Sequence, residues 1–184
     1  DIRTPEKARF LENVGFSQMV LARELSLTEV AACRAALTRA RIEYFIHGAL
    51  CVSYSGQCYM SEALVKRSAN RGACAQLCRL PYDVYTEAGE RIARKSHVLS
   101  LRDNNQTANL EALINAGVSS FKIEGRLKDI GYVKNITAWY RRELDQLIAR
   151  RPELIRSSDG VTTTTFEPDP EKSFQRGKTD YFIH

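Results

Sequence analysis

The 184-residue chain contains little of what membrane proteins and secreted proteins require. Its apolar runs are only a few residues long, whereas a membrane-spanning helix needs about 20 apolar residues. It opens with DIRTPEKARF, which contains neither an initiator methionine nor an apolar secretory leader. These absences predict an internal fragment of a longer cytoplasmic protein that does not bind a membrane.

Histidine is scarce, and the common hydrolase motifs are missing. Only His47, His97 and His184 occur, and neither HExxH nor GxSxG is present. A protease needs a nucleophile with a base, or a water activated by a metal. Cys51 and His47, four residues apart, are the only pair that suggests such chemistry. Because three more cysteines follow Cys51 closely, ligation is favoured, and proteolysis remains the weaker alternative.

The charge balance permits a nucleic-acid partner but does not require one. The chain carries 27 Lys+Arg against 22 Asp+Glu, a formal net charge of +5. A mild positive charge can neutralise phosphates, yet many enzymes with small substrates have the same balance. With 27% charged and 43% hydrophobic residues, the composition is that of a globular domain.

Four of the five cysteines are concentrated in one segment. They form the pattern C-x6-C-x15-C-x3-C and are Cys51, Cys58, Cys74 and Cys78. An odd total and a crowded cluster fit a secreted disulfide framework poorly, so a metal site is favoured over disulfides or unrelated buried thiols. A helical turn would place the last two thiols on one face. Soft thiolates suit zinc or an iron–sulfur cluster, and spacing does not choose between them. Cys33 is predicted to be a core residue of a helix.

The hydrophobic pattern predicts an α/β fold. Strands are predicted over residues 16–24, 42–47, 97–101 and 119–123, and helices over 26–40, 107–115 and 129–150. Ser26 and Glu29 form a capping box at the start of the first of these helices. Strand, helix and strand within about 30 residues make a βαβ unit, which implies parallel strands.

Four parallel strands are too few to close a barrel of eight, so βα repeats forming half of a TIM-like barrel are expected. A cysteine-rich insert over residues 51–96 interrupts them and contains a hairpin, with strands at 82–86 and 91–93. Residues 151–184 are predicted to be a linker or the start of another domain, with one strand at 161–166. Half a barrel leaves open sheet edges, which predicts self-association of the fragment.

Polar residues at the carboxyl ends of the strands are the candidates for chemistry. The predicted catalytic residues are Glu43, His47, Lys122, Glu124 and Arg126, and the predicted substrate-binding residues are Arg23, Glu24, Asp103, Arg79 and Tyr54. Lys122 and Glu124 alternate with Ile123 and are expected to share a strand face, while Arg126 suits a carboxylate or phosphate. An ion-pair layer at the barrel mouth is the structural alternative. Further basic residues at 66–67, 71 and 141–142, with Tyr59 and Tyr82, suggest RNA contacts or simply a solvated face.

Residues 43–61, EYFIHGALCVSYSGQCYMS, match the pattern E-x-F-x-x-G-(S/A)-(L/I/V/M)-C-x4-G-x-C-x-(L/I/V/M)-S at every fixed position. This pattern resembles the signature of peptidase family U32. The resemblance continues through SANRGACAQLCRLPY and SFKIEGRLKDIGYVKNITAWYR to about residue 150, and more weakly into FQRGKTDYF.

Membership of this family implies several further expectations. Residues 1–150 would be the C-terminal half of a barrel-like catalytic domain. The activity would be hydroxylation of RNA at C5 of a cytidine in 23S rRNA, with hydroxylation of a tRNA uridine or a collagenase-like peptidase activity as alternatives. The four cysteines would hold an iron–sulfur cluster, of the 4Fe–4S type, with zinc as the alternative. Prephenate is implicated as a co-substrate.

Overall fold

The computed structural model describes residues 2–184, which separate into two compact units. The smaller unit comprises residues Leu50–Arg102. The larger unit comprises Ile2–Ala49 and Asp103–His184, so the smaller one interrupts it in the sequence. No helix of the described residues is long and apolar enough to cross a bilayer.

Residues 2–184 form five α-helices and seven strands. The helices are α1 (Pro5–Val14), α2 (Leu27–Ala35), α3 (Met60–Val65), α4 (Leu110–Asn115) and α5 (Ile130–Arg150). The strands are β1 (Gln18–Val20), β2 (Arg41–Ala49), β3 (Tyr82–Tyr85), β4 (Arg91–Ser96), β5 (Asp103–Asn105), β6 (Val118–Ile123) and β7 (Lys178–Thr179).

The larger unit is organised around β2. This strand pairs in parallel with β1 and β6 and antiparallel with β5, which in turn pairs in parallel with β7. The predicted parallel sheet built from βα units is therefore confirmed. The prediction of a strand at 97–101 is wrong, because β4 continues to Ser96 and a turn follows it, in which the Ser100 amide donates to the His97 carbonyl at 2.9 Å. The strand that does form, β5, runs antiparallel to β2.

The start of α2 has a local cause, and its end is set by a residue of α1. Ser26 and Glu29 form the predicted capping box, and the helix ends at Ala35 rather than near residue 40. The amide groups that would have continued it bind the Glu12 carboxylate instead, from Thr38 at 3.0 Å, Arg39 at 2.7 Å and Ala40 at 2.6 Å. These backbone hydrogen bonds lower the pKa of Glu12 to about 2. A residue of α1 thus terminates α2.

The hydrophobic core lies between the sheet and the helices of the larger unit. Ile42, Tyr44 and Ile46 point from β2 into this core, and each is almost completely buried. The helices contribute Ala8, Val30, Cys33, Leu110, Leu113, Ile136 and Tyr140. The core position predicted for Cys33 is confirmed. Each fully buried aliphatic side chain contributes about 1.5–3 kcal/mol relative to an exposed one.

The C-terminal segment returns to the larger unit. Its strand β7 extends the sheet through β5, and Ile183 is buried in the core. The Leu27 amide donates to the Ile183 carbonyl at 3.0 Å. The predicted strand at 161–166 is wrong, since these residues are irregular and exposed. The description of residues 151–184 as a linker or the start of another domain did not anticipate this packing.

The smaller unit contains α3, several short turns and the hairpin of β3 and β4. This hairpin was predicted, and its second strand is longer than expected. Gly89, at φ +84°, occupies the turn, and the Thr86 amide donates to the Glu90 carbonyl at 2.8 Å.

Candidate functional site

Glu43 is the centre of a polar cluster on the sheet of the larger unit. Its carboxylate accepts hydrogen bonds from the Gln18 amide at 2.5 Å and the Ser120 hydroxyl at 2.9 Å, and it pairs with the Lys122 ammonium at 3.5 Å. Because β1 and β6 both flank β2, β1 contributes one residue and β6 two to hold this carboxylate. The sequence analysis selected Glu43 and Lys122 but not Gln18 and Ser120. Only the pairing of their strands with β2 brings these two residues to Glu43.

Phe45 brings two cations to the same strand. The Arg23 guanidinium lies 5.8 Å and the Lys122 ammonium 5.2 Å from the centre of its ring. Cations at this distance are attracted by the ring, which helps to fix them. The structure therefore brings together the predicted residues Arg23, Glu43 and Lys122. The result is a cationic and aromatic surface that suits an anionic or planar ligand.

A β-bulge in β2 redirects His47. Phe45 is opposite Lys122, yet His47 is opposite Ile123, so β2 contains one extra residue at this point. A bulge of this kind changes the face to which the following side chain points. Ile123 packs against the core, and its partner His47 is buried as well. His47 was predicted to be catalytic because it lies at the carboxyl end of the predicted strand, and the bulge buries it instead.

His47 is surrounded by aromatic side chains of α5. Its ring lies against Tyr132 and Tyr140, and its Nδ1 is 3.1 Å from the Tyr140 hydroxyl. The Tyr140 hydroxyl also donates to the Ile46 carbonyl at 2.9 Å. Burial lowers the pKa of His47 to about 4. The imidazole is therefore neutral at pH 7 and is a weak base there.

Glu124 and Arg126 follow β6 in a tight turn. The Glu124 carboxylate accepts a hydrogen bond from the Arg126 amide at 2.7 Å, which holds Arg126 through its backbone. Glu124 also binds β2, since its amide donates to the His47 carbonyl at 2.8 Å. A Cβ on Gly48 would lie 2.4 Å from the Glu124 carbonyl oxygen, so only glycine allows this approach.

Both predicted substrate-binding carboxylates are in ion pairs. Glu24 accepts from Arg3 Nε at 2.9 Å. Asp103, only 5% exposed, binds Arg176 through both the guanidinium and the backbone amide, at 3.2 Å each. For these two residues the structure shows the ion-pair alternative rather than an open substrate contact. Arg176 was not singled out in the sequence because it lies 73 residues from Asp103.

The smaller unit contains all four cysteines of the motif. Cys51, Cys58, Cys74 and Cys78 are free thiols of intermediate burial. The backbone around them is fixed by polar contacts. The Cys58 amide donates to Asn70 Oδ1 at 2.9 Å, and the Gln76 amide donates to Cys74 Sγ at 3.3 Å.

The thiols of this unit influence one another electrostatically. Burial is the main cause that raises the pKa of Cys78, and Cys51, Cys74 and Cys58 raise it further, while Arg79 opposes them. Among residues 2–184, no three His, Cys, Asp or Glu side chains stand in a metal-coordinating arrangement. The four soft donors nevertheless fit an iron–sulfur cluster or zinc in their chemistry. Binding would have to draw the sulfur atoms together.

The segment between Cys74 and Cys78 differs from the predicted helical turn. Gln76 has a left-handed backbone, with φ +56°, and only Leu77–Arg79 form a short 3-10 turn. The Arg79 side chain binds the Leu50 carbonyl and donates to the Ser100 hydroxyl at 2.8 Å. Arg79, predicted to bind substrate, therefore clamps two parts of the smaller unit together.

The remaining predicted RNA contacts differ in their environments. Tyr54 and Tyr59 are about two-thirds exposed, whereas the Tyr82 hydroxyl donates to the Leu77 carbonyl at 2.7 Å. Arg141 pairs with Asp145 at 2.6 Å, and Arg142 pairs with acidic neighbours. For this pair of arginines on α5 the structure shows partly buried, ion-paired side chains rather than free contacts for RNA.

The fold and the site define a mixed α/β protein with βα units and a separate four-thiol unit. The family model of peptidase family U32 matches residues 1–184, and the chain belongs to this family. No solved structure matches the chain.

Named relatives fall into more than one functional group. Over all 184 residues the chain is 60% identical to the "23S rRNA 5-hydroxycytidine C2501 synthase" of Escherichia coli, of which it spans 28%. It is 36% identical over 147 residues to the "tRNA hydroxylation protein P1" of Bacillus subtilis, covering 77% of the chain and 35% of that protein. It is 34% identical over 157 residues to a "Collagenase" of Porphyromonas gingivalis, covering 79% of the chain and 38% of that protein.

Proposed function

We propose that the chain is part of an RNA-modifying enzyme that hydroxylates C5 of a cytidine in 23S rRNA. The observation that carries this proposal is that four free thiols share one compact unit. All 184 residues of the chain that contains them match part of an rRNA hydroxycytidine synthase. The proposed substrate implies a cytoplasmic enzyme. Hydroxylation of a tRNA uridine is the nearest alternative, since relatives named for tRNA hydroxylation are 36% and 27% identical to the chain over the regions that align with it.

The proposed cofactor is an iron–sulfur cluster of the 4Fe–4S type held by Cys51, Cys58, Cys74 and Cys78. When bound, such a cluster supplies one-electron chemistry. The protein would contribute the four thiolates and the amide of Gln76, which already donates to the Cys74 sulfur. Hydrogen bonds to ligating sulfur atoms raise the reduction potential of such centres. Zinc on the same thiols is the alternative.

The cationic residues of the larger unit are proposed to bind the anionic reactants. Arg23 and Lys122 flank Phe45, and Glu43 orients Lys122. These cations, with Arg126 on the adjacent turn, suit phosphates of RNA or the carboxylates of a co-substrate such as prephenate. In the proposed architecture residues 1–150 are the C-terminal half of a barrel, residues 51–96 are its cysteine-rich insert, and the polar face around Glu43 lines the barrel interior.

A peptidase is the second candidate, because relatives named collagenase match most of the chain. The geometry favours it less. His47 is a buried weak base whose Nδ1 is in hydrogen-bond contact with Tyr140, and His97 Nδ1 donates to the Arg79 carbonyl at 3.0 Å. Among the described residues the third histidine, His184, pairs with Asp180 at 2.5 Å. Cleavage of denatured collagen by the purified full-length protein, lost in both Cys51→Ala and His47→Ala, would favour the peptidase instead.

Anaerobic purification of the full-length protein tests the cofactor. We expect a brown protein with iron and acid-labile sulfide in about equal amounts, both lost in Cys58→Ser and Cys74→Ser. Cys33→Ser is the matched control, because that thiol lies in the core away from the motif. One zinc per chain without sulfide would contradict the iron–sulfur proposal.

Complementation tests the function. In a strain that lacks the gene, the full-length wild-type gene and the Cys33→Ser variant should restore 5-hydroxycytidine in 23S rRNA. The Cys58→Ser variant should fail to do so at equal protein level. Restoration by Cys58→Ser would show that the thiol unit has no part in the reaction.

A further inference from the structure

Two cations lie over one exposed aromatic ring near the carboxyl end of β6. The Lys128 ammonium is 4.4 Å and the Arg176 guanidinium carbon 4.8 Å from the centre of the Phe174 ring. Phe174 is 63% exposed. Phe174, Lys128 and Arg176 are called the Phe174 platform below. Neither the four-cysteine motif nor the proposed cluster site assigns a role to the Phe174 platform.

The platform is fixed from two sides. Ahead of Phe174, Asn135 of α5 donates to the Ser173 hydroxyl at 2.7 Å and to the Asp169 carbonyl at 2.6 Å. Behind it, Arg176 is held by Asp103. A ring that is already ordered loses little conformational entropy when a ligand stacks on it.

The position of Lys128 is set by the turn that follows β6. Its amide donates to the Gly125 carbonyl at 3.0 Å, and its ammonium also lies 4.8 Å from the centre of the buried Tyr132 ring. A lysine on a flexible stem can move from an aromatic ring to a phosphate without disturbing the backbone. Arg176, held by Asp103, provides the stationary positive charge.

We propose that the Phe174 platform binds a single-stranded segment of RNA by stacking one unpaired base on Phe174, with Lys128 moving to an adjacent phosphate. An exposed aromatic ring with cations beside it has both features that single-stranded nucleic acid needs, a π-face and phosphate neutralisation. The proposal rests on the proposed function, because it assigns a contact for the RNA substrate. The residue it concerns, Phe174, lies 50 positions beyond the predicted catalytic Glu124 in the sequence.

The test measures the affinity of the full-length protein for a fluorescein-labelled, single-stranded pyrimidine dodecamer of RNA. Loss of a stacked base costs about 1–3 kcal/mol, so Phe174→Ala should weaken binding roughly 5- to 150-fold. Phe174→Trp, which keeps an aromatic ring at this position, should bind the dodecamer about as tightly as wild type. Phe10→Ala is the matched control, since Phe10 on α1 is 64% exposed and should leave the affinity unchanged.

Salt dependence tests the part of Lys128. Each phosphate neutralised on a single strand contributes about 0.7 to the slope of log affinity against log salt, so Lys128→Ala should reduce that slope by about this amount. Phe174→Ala should weaken binding but leave the slope unchanged.

Several outcomes would overturn the proposal. If the wild-type protein binds the dodecamer and hydroxylates rRNA while Phe174→Ala binds equally well, the platform is not an RNA contact, and the proposed function stands. If the wild-type protein neither binds RNA nor hydroxylates it, both proposals fail. If Phe174→Ala abolishes self-association in sedimentation and leaves RNA affinity unchanged, the platform binds a second copy of the protein instead.

Discussion

Gly48→Ala should destabilise the larger unit through two separate costs. Gly48 has φ +103°, a backbone conformation that costs a residue with a Cβ about 1–2 kcal/mol. The new methyl group would also lie 2.4 Å from the Glu124 carbonyl oxygen, and backbone atoms cannot rotate away as a side chain can. Moving β2 and β6 apart weakens the hydrogen bond from Glu124 to His47, worth about 1 kcal/mol. We therefore expect a loss of about 2–3 kcal/mol, or a fall in Tm of about 4–12 °C.

Gly15→Ala separates the two costs. Gly15 has φ +114°, close to that of Gly48, but a Cβ there has nothing within 4 Å. It should therefore lose only the conformational part, about 1–2 kcal/mol. Urea unfolding of the 184-residue chain, followed by fluorescence of the lone Trp139, measures both variants in the same unit. Equal losses for the two variants would refute the close approach of β2 to the turn after β6.

Three further changes test individual contacts. Because the pKa of Glu12 is lowered to about 2, its stabilising effect is present above about pH 4.5 and is lost as the pH falls. Wild type should therefore be more stable than Glu12→Gln at pH 6, and the difference should disappear near pH 2. A difference that stays constant with pH would contradict this. The pKa of His47 is lowered to about 4, so its ring should stay neutral at pH 5.5 in an NMR titration. Its contribution to stability should decline as the pH falls from about 6.5 towards 4. Titration of the ring near pH 6.5 would show that it is solvated. Asp103→Asn should cost about 2 kcal/mol by calorimetry through loss of the Arg176 pair, and an unchanged Tm would show that this pair is not structural.

Elements with local signals could be predicted from the sequence. The capping box at Ser26 placed the start of α2, and the helical period placed α5 within one residue. The long apolar strand β2 and the hairpin were predicted for the same reason, since alternation and turn residues are encoded within a few positions.

Features set by distant contacts could not be predicted. The end of α2 depends on Glu12, which lies 26–28 residues away. The face of His47 depends on one extra residue in β2, and a change of one position reverses the side on which a side chain points. Polar composition concealed the return of Ile183 to the core, because a two-residue strand and one buried side chain leave almost no local pattern.

The candidate site shows the same division. The four cysteines were selected from their spacing. Glu43 and Lys122 were selected as strand-end residues, and the structure pairs them, although Glu43 lies near the amino end of β2. The contributions of Gln18 and Ser120 depend on the register of three strands, which the sequence does not specify by itself.

Mass spectrometry of nucleosides tests the central claim most directly. Ribosomal and transfer RNA from a strain lacking the full-length gene should be digested separately and compared with RNA from the parent strain. We predict that 5-hydroxycytidine disappears from 23S rRNA while 5-hydroxyuridine in tRNA is retained. Unchanged 5-hydroxycytidine in the rRNA, or loss of the tRNA nucleoside alone, would contradict the assignment of this chain to an rRNA cytidine hydroxylase.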